Sequence, residues 1–195
     1  MYLSDRDLAW AIETDKLIVD PPPERFDPTS IDLHLDAVST AKIWDIEKYL
    51  KHERSTGKRR PELRIAHYNL AEFSKNYLGS PPDYAEDAEQ LVGQRGQQIV
   101  VKRGGFLLWQ TREVVGTPSK NADLICFVIC FVDGKSTRAR AGIVIHLTAP
   151  TIHAAWKGKI TLEIANLGPF DLVLEEGDVI AQLTVCRITS PPRIG

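Results

Sequence analysis

Hydrophobic positions along the chain take a helical rhythm at the start and a period of two over most of the remaining sequence. Leu8, Ala11 and Ile12 share one helical face, and Ser4 stands three residues before Asp7 as a capping pair would. A short helix is therefore expected to open the chain, with Pro21-Pro22-Pro23 as its stop. Beyond it, Ile31, Leu33 and Leu35 alternate with Asp32 and His34, and residues 98–101, 106–110 and 179–185 give further strand-like runs between glycine turns. Residues 159–165 alternate most clearly: Ile160, Leu162 and Ile164 take one face, while Thr161, Glu163 and Ala165 take the other. Mostly short strands after one helix predict a mainly β protein built as a barrel.

One region breaks the rhythm. Residues 41–95 are highly charged and contain RSTGKRR at 54–60 and SPPD at 80–83, so they read as an insertion within a single domain spanning 1–195. The basic run Lys58-Arg59-Arg60 is flanked by Glu53 and Glu62 and lacks interleaved aromatic residues. It therefore reads as a solvated loop and not as a nucleic-acid patch.

Charge and cysteine content narrow the classes of partner. A formal net charge of -2 over 195 residues gives no global attraction to nucleic acid or to an anionic membrane, so any anion site must be local. Three cysteines and no N-terminal apolar leader fit a reducing cytoplasm. The apolar run 124–132 is too short to span a bilayer. Cys126 and Cys130 lie in that run without an adjacent histidine, and Cys186 stands alone; they read as small packing residues, and no metal site is expected.

Two segments carry candidate chemistry. Residues 134–140, GKSTRAR, combine a glycine with two hydroxyls and three cations, a composition suited to a polyphosphate. They are not a Walker A loop, because Ile129 stands where that loop needs its first glycine. Glu163 is a carboxylate on the polar face of its strand, and its flanking residues Thr161 and Ala165 are small enough to leave room for a ligand.

These pieces resemble the dCTP deaminases, the metal-free branch of the trimeric dUTPase superfamily. LSDRDL at 3–8 resembles the family's opening helix, and PTSIDLHL at 28–35 its first strand. GKSTRARAG at 134–142 resembles the Gly-Arg-Ser-Ser-x-Ala-Arg-x-Gly motif, with Lys135 at an arginine position. IHLTA at 145–149 and Trp156-x-Gly158 resemble the family hairpin, TLEIAN at 161–166 the catalytic strand, and LEEGDVIAQL at 174–183 the closing strand pair. The likeness covers roughly residues 1–40 and 95–190, in consistent order.

The resemblance implies a distorted β-barrel of the β-clip, dUTPase-like type, assembled as a homotrimer with active sites at subunit interfaces. It implies hydrolytic deamination of dCTP, or a related deoxycytidine nucleotide, to dUTP and ammonia. Glu163 would shuttle the proton, Ser136 and Arg140 would position water and stabilise charge, and the Ala149 carbonyl would accept from that water. Lys135, Ser136, Thr137, Arg138, Ala139 and Arg140 would meet the phosphates, while His153, Thr161, Leu162 and Glu163 would complete the substrate site. No cofactor is expected on the protein; Mg2+ would arrive with the triphosphate.

Two departures favour other readings. The family's hairpin aspartate, which addresses the sugar 3'-hydroxyl, is His153 here, and the His-Arg pair before it is Pro150-Thr151. The family's C-terminal tail, which closes over the triphosphate, has no counterpart in the sequence ending SPPRIG. These changes support a catalytically inactive nucleotide-binding homologue as the alternative. A dUTPase ranks lower, because the missing carboxylate is the one that activates water for triphosphate hydrolysis.

Overall fold

The computed structural model describes residues 1–53, 61–118 and 128–190. Ser4 caps the opening helix α1 (Asp5–Glu13): its hydroxyl accepts from the Asp7 amide at 3.4 Å, and the Asp7 carboxylate accepts the Ser4 amide at 3.3 Å. Leu8 and Ala11 are buried beneath it. The prolines do not stop this helix. It ends at Thr14, Asp15 adopts φ 55°, and the amides of Lys16 and Leu17 turn back to the Ala11 carbonyl. The chain then enters β1 (Ile18–Asp20), and Pro21 to Pro23 only succeed that strand.

The remaining strands are β2 (Ile31–His34), β3 (Ile43–Trp44), β4 (Leu78–Gly79), β5 (Val92–Arg95), β6 (Gln98–Val101), β7 (Phe106–Gly116) and β8 (Val128–Gly134). They continue with β9 (Ile143–Val144), β10 (Thr151–Ile152), β11 (Lys157–Asn166), β12 (Leu172–Glu175) and β13 (Val179–Arg187). All named ladders are antiparallel. One sheet runs β1-β7-β11-β9, a second β10-β8-β13-β2, and a third β12-β6-β5. They enclose one core. Ile31, Leu33, Ile99, Leu107, Trp109, Leu162, Ile164, Ile180 and Leu183 are its largest buried strand residues, joined by Leu35 just past β2, and each contributes about 1.5–3 kcal/mol by leaving water. The Trp109 indole, fully buried, donates to the carbonyls of Asp36 at 3.1 Å and Ala37 at 3.3 Å.

The fold is thus mainly β, as expected, with sheets wrapped on a shared core and no ladder closing them into one ring among the described residues. Three details differ from the sequence reading. β7 does not end at Gln110 but continues past a bulge to Gly116. Residues 145–158 do not form a self-paired hairpin, because β10 pairs with β8 while β11 pairs with β7 and β9. The cationic segment after β8 is no open turn: Ser136–Ala139 forms a helical turn.

Within residues 41–95, β3 pairs with β4 and two helices, α2 (Ile46–Glu53) and α3 (Leu70–Tyr77), pack through aromatic rings. The helical turn Ser136–Ala139 is accordingly α4. Tyr77 meets Tyr49 edge-on at 5.3 Å between centroids and Phe73 at 5.4 Å. Asn69 caps α3 by accepting from the amides of Ala71 and Glu72. The last four residues of the segment form β5, which pairs along β6. The basic run 58–60 lies outside the described residues.

Candidate active site

β11 carries the candidate carboxylate because its apolar face is committed to the core. Leu162 and Ile164 are 1 % and 0 % exposed, which leaves Glu163 between them directed to the opposite face, half-buried. Leu162 therefore offers a ligand only its backbone. Opposite Glu163 on one side is Leu108 of β7; on the other side β9 reaches only Ala165 and Asn166. From Lys157 to Ile164 the outer edge of β11 thus has no ladder partner among the described residues, and its alternate amides and carbonyls are open to a ligand.

The loop between β9 and β10 lies against Glu163. The amide of Leu147 donates to Glu163 Oε2 at 3.2 Å. That contact sets one carboxylate oxygen and leaves Oε1 without a hydrogen bond among the described residues, beside the loop that carries exposed Ala149. Sequence pattern alone does not reveal the Leu147 amide, because any residue type supplies it. Thr161 is exposed on the same strand, and His153 is exposed in the turn that succeeds β10.

The cationic segment divides into two parts. Lys135 does not face solvent: its ammonium binds the Asp27 carboxylate at 3.0 Å and also that of Asp32, both in or beside β2. Burial works against its charge, but the hydrogen bonds and negative charges of Asp32 and Asp27 more than offset this and hold its pKa above the ordinary lysine value. Ser136, Thr137, Arg138, Ala139 and Arg140 are all exposed. Ser136 and Arg140, four residues apart across the helical turn, share one face, and the Arg140 amide donates to the Ser136 carbonyl at 3.3 Å.

Two glycines fasten the end of this segment to the end of β11. Gly142 has φ 91°, and a Cβ there would lie 2.2 Å from the Gly168 backbone; a Cβ on Gly168 would lie 2.0 Å from the Ala141 carbonyl oxygen. The Leu167 amide donates to the Gly142 carbonyl at 2.8 Å. This anchorage lies beyond Asn166, three residues or about 10 Å of strand past Glu163. No hydrogen bond joins Ser136 or Arg140 to Glu163 within the chain among the described residues. The structure therefore brings Glu163 together with the loop bearing Ala149, and bonds neither Ser136 nor Arg140 to it among the described residues.

A sequence profile described as dCTP deaminase-like matches residues 2–188, and so spans both the cationic segment and β11. The chain belongs to the dCTP deaminase-like family. It is 30% identical over 194 residues to a dCTP deaminase of Haloarcula marismortui, covering 98% of this chain and 83% of that protein. It is 27% identical over 195 residues to a dUMP-forming dCTP deaminase of Dictyoglomus turgidum, covering 98% and 82%. Among solved structures, 2'-deoxycytidine 5'-triphosphate deaminase from Agrobacterium tumefaciens matches with a TM-score of 0.59 at 16% identity, over 96% of this chain. This chain spans about half of that one, 48%, and the likeness establishes the fold. Cys130 of this family member is fully buried on β8 and packs in the core, whereas Cys126 lies outside the described residues. No helix among the described residues is long and apolar enough to cross a membrane.

Proposed function

We propose that this protein deaminates dCTP hydrolytically to dUTP and ammonia. The observation that carries the reading is Glu163, half-buried on an open strand edge, with one carboxylate oxygen held by the Leu147 amide and the other available. Cytosine presents its N3 and 4-amino group along one edge, which matches a strand edge of free amides and carbonyls beside a carboxylate. Glu163 takes a proton from water as the water oxygen bonds to C4 and passes it to N3; it then carries the proton of the new C4 hydroxyl to the amine, and the C4 carbonyl forms as ammonia leaves. Atoms balance as dCTP plus water to dUTP plus ammonia. The Ala149 carbonyl accepts from the attacking water and fixes its lone pair toward C4.

Ser136 and Arg140 act in this scheme from a neighbouring subunit of a homotrimer, a reading supported by the lack of a hydrogen bond between them and Glu163 among the described residues of one chain. Arg138 and Arg140, together with Thr137 and the amides of Ser136 and Thr137, take the phosphates with Mg2+ supplied alongside the nucleotide; the amides of Arg138 and Ala139 already donate to the Lys135 carbonyl. Lys135 helps indirectly, by tying the start of the segment to β2. His153 and Thr161 flank the sugar and base. The setting is the cytoplasmic deoxynucleotide pool.

The test is separation of products after incubation with dCTP and Mg2+, for the protein and for Glu163→Gln. Conversion to dUTP that falls by about a thousandfold or more in Glu163→Gln, with nucleotide binding kept, supports the scheme. Binding without turnover in the unaltered protein selects an inactive nucleotide-binding homologue instead, and dUMP as the sole product places triphosphate hydrolysis at the same site.

A further inference from the structure

The ladder between β7 and β11 changes register just before the candidate carboxylate. Lys159 faces Val114, yet Thr161 faces Gln110, so Ile160 alone opposes Thr111, Arg112 and Glu113. At such a step the single strand residue has no carbonyl in register to receive its amide. Thr111 fills the gap with its side chain: the Ile160 amide donates to Thr111 Oγ1 at 3.0 Å, and that hydroxyl donates onward to the Glu113 carbonyl at 2.9 Å. Thr111 is 0 % exposed, so neither bond has a solvent substitute. The bulge is held from its far side as well. Glu113, 2 % exposed, accepts the His34 amide at 2.9 Å and meets His34 Nδ1 at 2.7 Å and Arg112 Nη2 at 3.1 Å.

We infer that Thr111 is a positioning residue for Glu163, its hydroxyl acting as the missing carbonyl that fixes the register of β11. This inference rests on the proposed role of Glu163. In a strand, a slip by one residue exchanges the two faces, and here it sends Glu163 into the core and Leu162 or Ile164 to the open side. Glu163 stands only three positions beyond the pinned amide of Ile160, so a small error in the bulge passes to the carboxylate and to its bond with Leu147. The requirement is for a buried hydroxyl of threonine size: valine keeps the shape and removes the bond, while serine keeps the bond and removes a methyl group.

The experiment compares Thr111→Val and Thr111→Ser for kcat, KM, nucleotide affinity and hydrogen exchange at the Ile160 amide. Thr111→Val is expected to lose about tenfold or more in kcat with affinity for dCTP within about threefold, and its Ile160 amide to exchange faster. Thr111→Ser is expected to restore both kcat and protection. A Thr111→Val enzyme with unchanged kcat, a serine variant as slow as the valine one, or an Ile160 amide equally protected in all three proteins overturns the inference. If Thr111→Val does not fold, Thr111→Cys, with a thiol that bonds weakly, takes its place under the same criteria. Unaltered protein that fails to convert dCTP overturns the proposed function itself, whereas turnover that ignores Thr111→Val overturns only the positioning role.

Discussion

Lys135 places its ammonium on Asp32, so the first cation of the GKSTRAR segment is directed into its own chain. With Asp27 as second partner, the lysine fastens the end of β8 to the start of β2. Those carboxylates favour its charged form against the opposing effect of burial. A pKa raised by folding contributes stability in full below the unfolded value of 10.5, and the contribution disappears as pH rises through the higher folded value. Lys135→Met is therefore expected to lower the thermal midpoint by the same few degrees at every pH from about 6 to 9, about 1 kcal/mol, because Asp27 and Asp32 lose a shared cation while Asp32 keeps Arg25 at 3.5 Å. Thermal melts across pH check this; a variant whose deficit vanishes at neutral pH contradicts it.

Removing the amide of Leu147 should release the Glu163 carboxylate. Leu147→Pro is expected to lower kcat by about tenfold or more, while Leu147→Ala, which keeps the amide on an exposed residue, stays within about threefold. Steady-state kinetics of the pair separate the backbone bond from the side chain. Equal losses in both variants would assign the effect to the leucine side chain.

Gly142 and Gly168 admit no side chain. Gly142→Ala meets both a positive φ and a backbone clash, and Gly168→Ala meets the Ala141 carbonyl oxygen. Each is expected to destabilise by about 2–4 kcal/mol, read as a loss of about 5–15 °C in the thermal midpoint. Gly79→Ala, where a Cβ meets open space, is the control and should leave the midpoint within about 2 °C.

The buried Glu113 carboxylate accepts from the His34 amide and pairs with the Arg112 guanidinium. Glu113→Ala leaves the His34 amide and the Arg112 guanidinium without their acceptor, at a cost of about 2–4 kcal/mol. Urea unfolding measures it. A variant with wild-type stability would mean that water replaces the carboxylate without loss.

His153 stands where the resemblance places an aspartate for the sugar 3'-hydroxyl. His153→Asp is expected to tighten dCTP binding by about fivefold, and to do nothing for a 2',3'-dideoxy nucleotide. Titration of both nucleotides decides whether the gain belongs to that hydroxyl.

Much of the frame is legible in the order of residues. The capping pair Ser4 and Asp7, the alternation through Glu163, and the strand runs arise from local rules, and the motif order identifies the family. What escapes a sequence reading depends on distant partners. Nothing local to Lys135 announces Asp27 and Asp32, which lie more than a hundred positions earlier, and its neighbours in the motif point it toward phosphate instead. Prolines are conspicuous and so draw the helix stop to Pro21, whereas the left-handed Asp15 that ends α1 is an ordinary-looking residue. Thr111 and Glu113 lie in a bulge, where the period of two on which strand reading relies is interrupted. The pairing of β10 with β8 likewise joins segments about twenty residues apart and overrides the simpler hairpin.

The open edge of β11 has a consequence for the isolated chain. Among the described residues, the outward amides and carbonyls from Lys157 to Ile164 have no ladder partner, and such a row is a template for any extended chain, including the wrong one during synthesis or refolding. Lys159 is turned aside to the Asp36 carboxylate, but Lys157, exposed at the start of that edge, places positive charge where a stray strand would begin to pair. A charge at that point opposes edge-to-edge pairing, so the exposed Lys157 works against aggregation of the strand.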